Sequence, residues 1–245
     1  MRAAETFNAF YLSYKSADLY ETRRLLQRAI AADRSYGRAF GLLADTYLTT
    51  HLLHINPEAV DRAYELAQHA VELDPSSPAA HALLGFVLGF RRQHDASLDE
   101  LARATALNPN YTDWRYALAY VVAGEHRRAV ATARAHMRAD PFYPPRVALW
   151  LGVAYFMLKR YQEALRYLRE VVSRVPKSRG AHVWAAASYA QLGQFENAQR
   201  EAAEALRIDA RLTVGFQRRL ASFCKYQHDI DHFLGALRKA GFPEN

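Results

Sequence analysis

One short phrase returns six times along the chain, and its spacing limits the fold more than any other feature. Residues 28–34, 69–75, 103–109, 135–141, 170–176 and 204–210 each end an amphipathic run, three of them on an acidic or amide residue followed by proline. The last residues of these phrases lie 41, 34, 32, 35 and 34 positions apart. Self-similarity at a fixed period of roughly 20–50 residues marks an array of stacked units, none of which can bury its apolar face alone. The long spacing of 41 points to an insertion between two helices, Thr49 to Pro57. The short one places a loss of two residues near Val122-Ala123-Gly124.

Each unit reads as two antiparallel amphipathic helices. Phe40, Leu43, Ala44 and Tyr47 recur at helical spacing in one unit. In another, Leu151, Gly152 and Tyr155 are followed by Ala164, Leu168 and Val171. The closing Asp or Asn can bond nearby backbone groups, and proline cannot continue a helix. Ala44, Gly85, Ala119, Gly152 and Ala186 fall where the two helices of a pair cross, and Ala29, Ala70, Ala104 and Ala205 fill the same role on the second helices. Only small side chains let two backbones approach there.

These residues resemble the tetratricopeptide repeat family, a helix–turn–helix pattern of 34 residues. Repeat six carries it as His182, Ala185, Ala186, Tyr189, Gly193, Phe195, Ala198, Ala202 and Ala205. The resemblance implies an all-α, right-handed solenoid of six repeats over 1–212, followed by capping helices over 213–245. Repeat one is degenerate: its first helix, Phe7 to Tyr14, lacks the small residue, and Arg34 stands in place of proline. Thr213 to Phe223 can form a further helix. Ile230, Phe233, Leu234 and Leu237 then give an amphipathic helix ending at Gly241, suited to cover the last repeat.

A narrower resemblance lies in residues 229–244 and in the phrase at 189–198. Both are similar to the tetratricopeptide region at the end of bacterial class III adenylate/guanylate cyclase-like proteins; related regions follow winged-helix DNA-binding domains in some bacterial regulators. In that group the catalytic domain precedes the repeats, and nothing in this chain resembles it. The resemblance therefore implies a sensory, regulatory or dimerising segment, with a homodimer as one form, and no cyclase activity.

Composition fits a folded protein: 51% of the 245 residues are hydrophobic and 23% charged. The single Cys224 excludes an internal disulfide and suggests a reducing, cytoplasmic setting. The longest apolar run, Val147 to Leu158, is short of the roughly 20 residues that span a bilayer. The net charge of +7 is concentrated in residues 142–212, which hold 11 basic and 6 acidic side chains. Arginines spaced along helices read as a solvated face, so nucleic acid is not an expected partner.

No phosphate loop, zincin motif or nucleophile elbow is present, and no enzyme activity or cofactor is expected. His51 with His54, and His228 with His232, are too few for a metal site without a third ligand. Cys224 before His228 lacks an orienting group. What remains is the groove. Carrying the family pattern over assigns Arg38, Gly41 and Asp45 to the concave side, then Ala82, Phe86 and Gly89, and then Tyr116 and Tyr120. Leu149, Val153 and Phe156 follow, with Val183, Ala187 and Ala190 last. This lining is apolar and aromatic, without the Lys and Asn that clamp a C-terminal carboxylate in chaperone-binding members. It suits an amphipathic helix or an apolar peptide of a protein partner, unless the chain's own termini cover it.

Overall fold

The computed structural model describes residues 3, 5–7, 9 and 16–245. The first helix expected for repeat one, Phe7 to Tyr14, lies largely outside them. The described residues form helices and no strand. They divide into two compact units, 1–113 and 114–245.

The first unit contains α1 (Ser16–Ala32) and two helical hairpins. These are α2 (Gly37–His54) with α3 (Pro57–Leu73), and α4 (Pro78–Phe90) with α5 (His94–Leu107). The second unit contains three hairpins. They pair α6 (Trp114–Val122) with α7 (His126–Ala139), α8 (Pro145–Met157) with α9 (Tyr161–Arg174), and α10 (Arg179–Gln191) with α11 (Phe195–Ile208). A short α12 (Val214–Leu220), a 3-10 turn (Ala221–Phe223) and α13 (Gln227–Lys239) complete it.

Repeat ends behave as their composition requires. Asp33, Asp74, Asn108, Asp140 and Asp209 each accept a bond on Oδ1 from the backbone N–H two residues on, at 2.8–3.1 Å. The side chain thus closes the turn that separates one hairpin from the next. Within four hairpins the turn centres on Arg92, Gly124, Lys159 or Gly193, all with positive φ. There the third turn residue donates back to a carbonyl five positions earlier, as in Gln194 N–H to Tyr189 O at 3.0 Å.

The crossing points are as tight as the small residues suggest. A Cβ on Gly85 would lie 2.9 Å from the Ser97 carbonyl oxygen, and one on Gly152 would lie 2.8 Å from Leu168 Cγ. Ser97 Oγ donates to the Gly85 carbonyl at 2.6 Å, which fixes that approach.

Two irregular repeats differ from the simplest reading. Residues Thr49 to His54 extend α2 by more than a turn instead of forming a separate loop. The helix stops at Ile55, in left-handed conformation, because Asn56 and Pro57 begin α3. The shortened repeat keeps its turn intact at Gly124 and loses length from α6, which has nine residues.

Candidate functional site

In the second unit, α13 lies against α10 and buries its apolar stripe there: Ile230, Phe233, Leu234, Ala236 and Leu237. Phe233 stacks on Trp184 with ring centroids 3.8 Å apart. Phe156, fully buried, meets Trp184 at 5.2 Å, His232 at 4.9 Å and Phe233 at 6.3 Å. Tyr161 lies beside the same ring, and its hydroxyl is 3.3 Å from His232 Nε2. The result is an aromatic box whose walls come from α8, α9 and α10 and whose lid is α13.

Polar contacts at the start of α13 fix its register. Lys225 N–H donates to the Val122 carbonyl at 2.9 Å, and His126 Nε2 lies 3.0 Å from Asp229 Oδ2. Tyr226 covers Gly124 so closely that a Cβ there would fall 2.1 Å from the ring. At the far end, Val214 and Gly215 N–H groups donate to the carbonyls of Pro243 and Glu244 at 2.8 and 2.9 Å. Burial holds the His232 imidazole below its ordinary pKa, and Lys159 and Lys239 add to this against Asp229. A neutral ring therefore sits on Phe156 at neutral pH.

The residues assigned to a concave lining fare unevenly. Val153, Phe156 and Val183 are buried in the second unit, with Phe156 beneath α13. Tyr116 and Tyr120 are also buried there, stacked at 6.3 Å. Arg128 lies over the Tyr120 ring and donates to its hydroxyl at 3.1 Å. Leu149 is half-buried and packs with Ala148, Val171 and Ala181. In the first unit Asp45 and Phe86 are buried, Phe86 edge-on to Phe90 at 5.2 Å, and Arg38 is exposed. The chain's own C-terminal helix therefore covers Phe156, one of the positions assigned to that lining.

The histidine pairs part company. His228 is exposed and stacks on Tyr226, whereas His232 joins the aromatic box. His51 is buried with Nδ1 3.0 Å from the Asn56 carbonyl, while His54 is exposed. Among the described residues no group of three or more His, Cys, Asp or Glu side chains could hold a metal, and no helix is long and apolar enough to cross a membrane. Sequence reasoning overlooked Trp184, whose only signal was a large aromatic among alanines in α10.

A second open feature is a cleft of about 670 Å³ between α9 and α11, over the end of α10. Leu165, Tyr189 and Leu192 contribute its apolar surface, and Arg166, Arg169, Gln194 and Asn197 its polar surface.

Residues 155–211 match the tetratricopeptide repeat family model. No curated protein matches the chain. Among solved structures, the human IFIT1 dimer with m7Gppp-AAAA superposes with a TM-score of 0.69 at 16% identity, covering 94% of this chain and 57% of that one. The APC/C hetero-tetramer Cut9–Hcn1 gives 0.64 at 14%, over 94% and 44%. PilF of Pseudomonas aeruginosa gives 0.54 at 18%, over 78% and 88%. At these identities the likeness establishes the fold alone, an all-α helical repeat. This chain spans about half the length of the first two.

Proposed function

We propose that this chain is a non-catalytic protein–protein interaction module that binds a helix or peptide of a partner on the apolar first-helix face. Tetratricopeptide repeats mediate such interactions. The observation that carries the finer reading is α13 itself: an amphipathic helix already lies on α10 and presses an aromatic side chain flat onto Trp184, beside Phe156. The face has the chemistry of a helix-binding groove. Burial of a large apolar side chain is worth about 1.5–3 kcal/mol. With Ile230, Phe233, Leu234 and Leu237 all buried, α13 is the standing occupant, and a partner helix binds by exchange with it. The partner-facing residues are Val153, Phe156 and Val183, with Leu149, Tyr116 and Tyr120 beside them. In the first unit the corresponding positions are Arg38, Asp45 and Phe86. The lone Cys224 fits a cytoplasmic setting.

Exchange makes a specific demand. Phe233→Ala weakens only the hold of α13, so capture of the partner from source-cell lysate by the full chain rises above wild type. Adding Phe156→Ala removes the floor that both helices need, and the gain disappears. Equal capture by all three proteins, at unchanged helicity by circular dichroism, overturns the groove reading.

The similarity of residues 229–244 to the tail of cyclase-like proteins supports a second reading, a regulatory or dimerising segment of a larger regulator. Sedimentation showing self-association at micromolar concentration favours it, and a strict monomer counts against it.

A further inference from the structure

We infer that the cleft between α9 and α11 is a second binding site, separate from the first-helix face, for an acidic segment of a protein partner. The cleft, about 670 Å³, lies open to solvent, so a chain segment can reach its walls from the side. Arg166 and Arg169 stand three residues apart on α9, hence on one helix face, and both are exposed. Among the described residues neither has an ion-pair partner, although the arginines at the two ends of α9 do: Arg160, just before it, pairs with Glu163, and Arg174 with Glu170. Glu170, the carboxylate that lines the cleft, is already engaged. It accepts from the Tyr143 hydroxyl at 2.6 Å and from Arg174 at 3.2 Å. The cleft thus presents two guanidinium groups outside any ion pair, Arg166 resting over the Tyr167 ring at 5.7 Å, in a stretch that is basic overall, with 11 basic and 6 acidic side chains over 142–212.

The opposite wall narrows the ligand class. Gln194 and Asn197 bond to each other at 3.2 Å through one amide N–H and one carbonyl, leaving further donors and acceptors to meet a peptide backbone. Leu165, Leu192 and the Tyr189 ring supply a small apolar floor between the two polar walls. Guanidinium groups engage carboxylates through two parallel hydrogen bonds. The complement of this wall, floor and opposite wall is a short peptide with two carboxylates flanking an apolar residue. A nucleic-acid strand would need a longer track of cations and stacking rings than two arginines and one tyrosine supply.

The test uses the full chain and a dye-labelled decapeptide alternating glutamate and leucine, followed by fluorescence anisotropy. Arg166→Gln with Arg169→Gln keeps helix propensity and removes the two charges. Arg127→Gln with Arg134→Gln removes the same charge from exposed sites on α7 and serves as the control. The expected result is a loss of about tenfold or more in affinity for the first double variant and less than about twofold for the control, with wild-type binding weakening as salt rises. Equal losses in both variants would reduce the effect to net charge and overturn the site. So would an absence of binding by the wild type, or capture of a ten-nucleotide single-stranded RNA in preference to the peptide. The groove reading is scored by partner capture and this site by peptide anisotropy with the arginine variants, so the failure of one and that of the other are read independently.

Discussion

His182 shows how a single residue ties two helices together. Its Nδ1 lies 2.6 Å from Glu201 Oε2 and its Nε2 lies 2.9 Å from the Pro176 carbonyl. Both ring nitrogens face acceptors, an arrangement that favours the doubly protonated imidazolium. Burial on its own would lower the pKa, but the hydrogen bonds to Glu201 and Pro176, with the charges of Glu201 and Glu204, outweigh it and raise the value. A raised pKa stabilises the fold fully below the unfolded value of 6.5, and that contribution is lost as pH rises through the folded value. His182→Gln should therefore cost about 1.5–3 kcal/mol at pH 6, the range for hydrogen bonds to a charged group, and less at pH 9. Urea unfolding at the two pH values checks this, and an equal cost at both would refute the charged assignment. The same contacts recur at His81, with Glu100 at 2.5 Å and the Pro75 carbonyl at 2.9 Å. The offsets are identical: proline six before, glutamate nineteen after. Both sets were visible in the sequence, but only as separate members of a repeat. Gly85 gives the steric counterpart. Alanine there gains helix propensity of about 1 kcal/mol, yet its Cβ would press on the Ser97 carbonyl at 2.9 Å. Overpacking of about 1–3 kcal/mol wins, so Gly85→Ala should lower the midpoint of thermal unfolding.

At the scale of elements, the repeat period made the hairpins legible because three independent signals coincide in each one. Apolar spacing marks the helices, a small residue marks their crossing, and an Asx side chain closes the unit. Where one signal fails, boundaries blur. Residues 49–54 carry no repeat signature, yet they are apolar enough to continue α2, and only Asn56-Pro57 stops it. Asn56 Oδ1 accepts from Ala59 N–H at 3.2 Å at the start of α3. Asn56→Ala removes that cap and should cost about 0.5–2 kcal/mol, measured by chemical unfolding, whereas Asn56→Ser should retain most of it. The docking of α13 was legible only in part. Its apolar stripe announced a buried face, but the sequence did not specify which surface it would meet. That choice depends on Phe233 meeting Trp184 and Phe156, and on Tyr226 meeting Gly124, across 49 to 102 positions of chain, a match of shapes that no local pattern encodes.

For the molecule as a whole, charge sets the response to acid. The side chains of Asp33, Glu163, Glu204, Asp209 and Glu244 are all held below their usual pKa by hydrogen bonds from Ser35 or from arginines. The folded chain therefore binds fewer protons than the unfolded one in acid, and stability must fall there. Most of these carboxyls are exposed, where ion pairs contribute little. Asp209 differs, since its side chain is only 13% exposed. The Arg211 side chain donates to it twice at 2.8 Å, the Arg211 backbone N–H at 3.1 Å, and Arg179 at 2.7 Å. The Arg211 hydrogen bonds foremost, and then Arg179, bring its pKa down to about 2 from 3.8 against the opposing effect of burial. A depressed acid stabilises above its unfolded value and loses that contribution as pH falls through the folded one, here between about pH 4 and pH 2. Asp209→Asn isolates the charge, because an amide oxygen can still close the turn, as Asn108 does in its own repeat at 3.0 Å. The substitution should cost about 2 kcal/mol at pH 7, and the gap to wild type should close by pH 2. Urea unfolding at pH 7, 5, 3 and 2 measures it. A gap that stays constant across that range would mean Asp209 acts through turn geometry alone, and the acid sensitivity of the fold would then have to arise from the exposed pairs together.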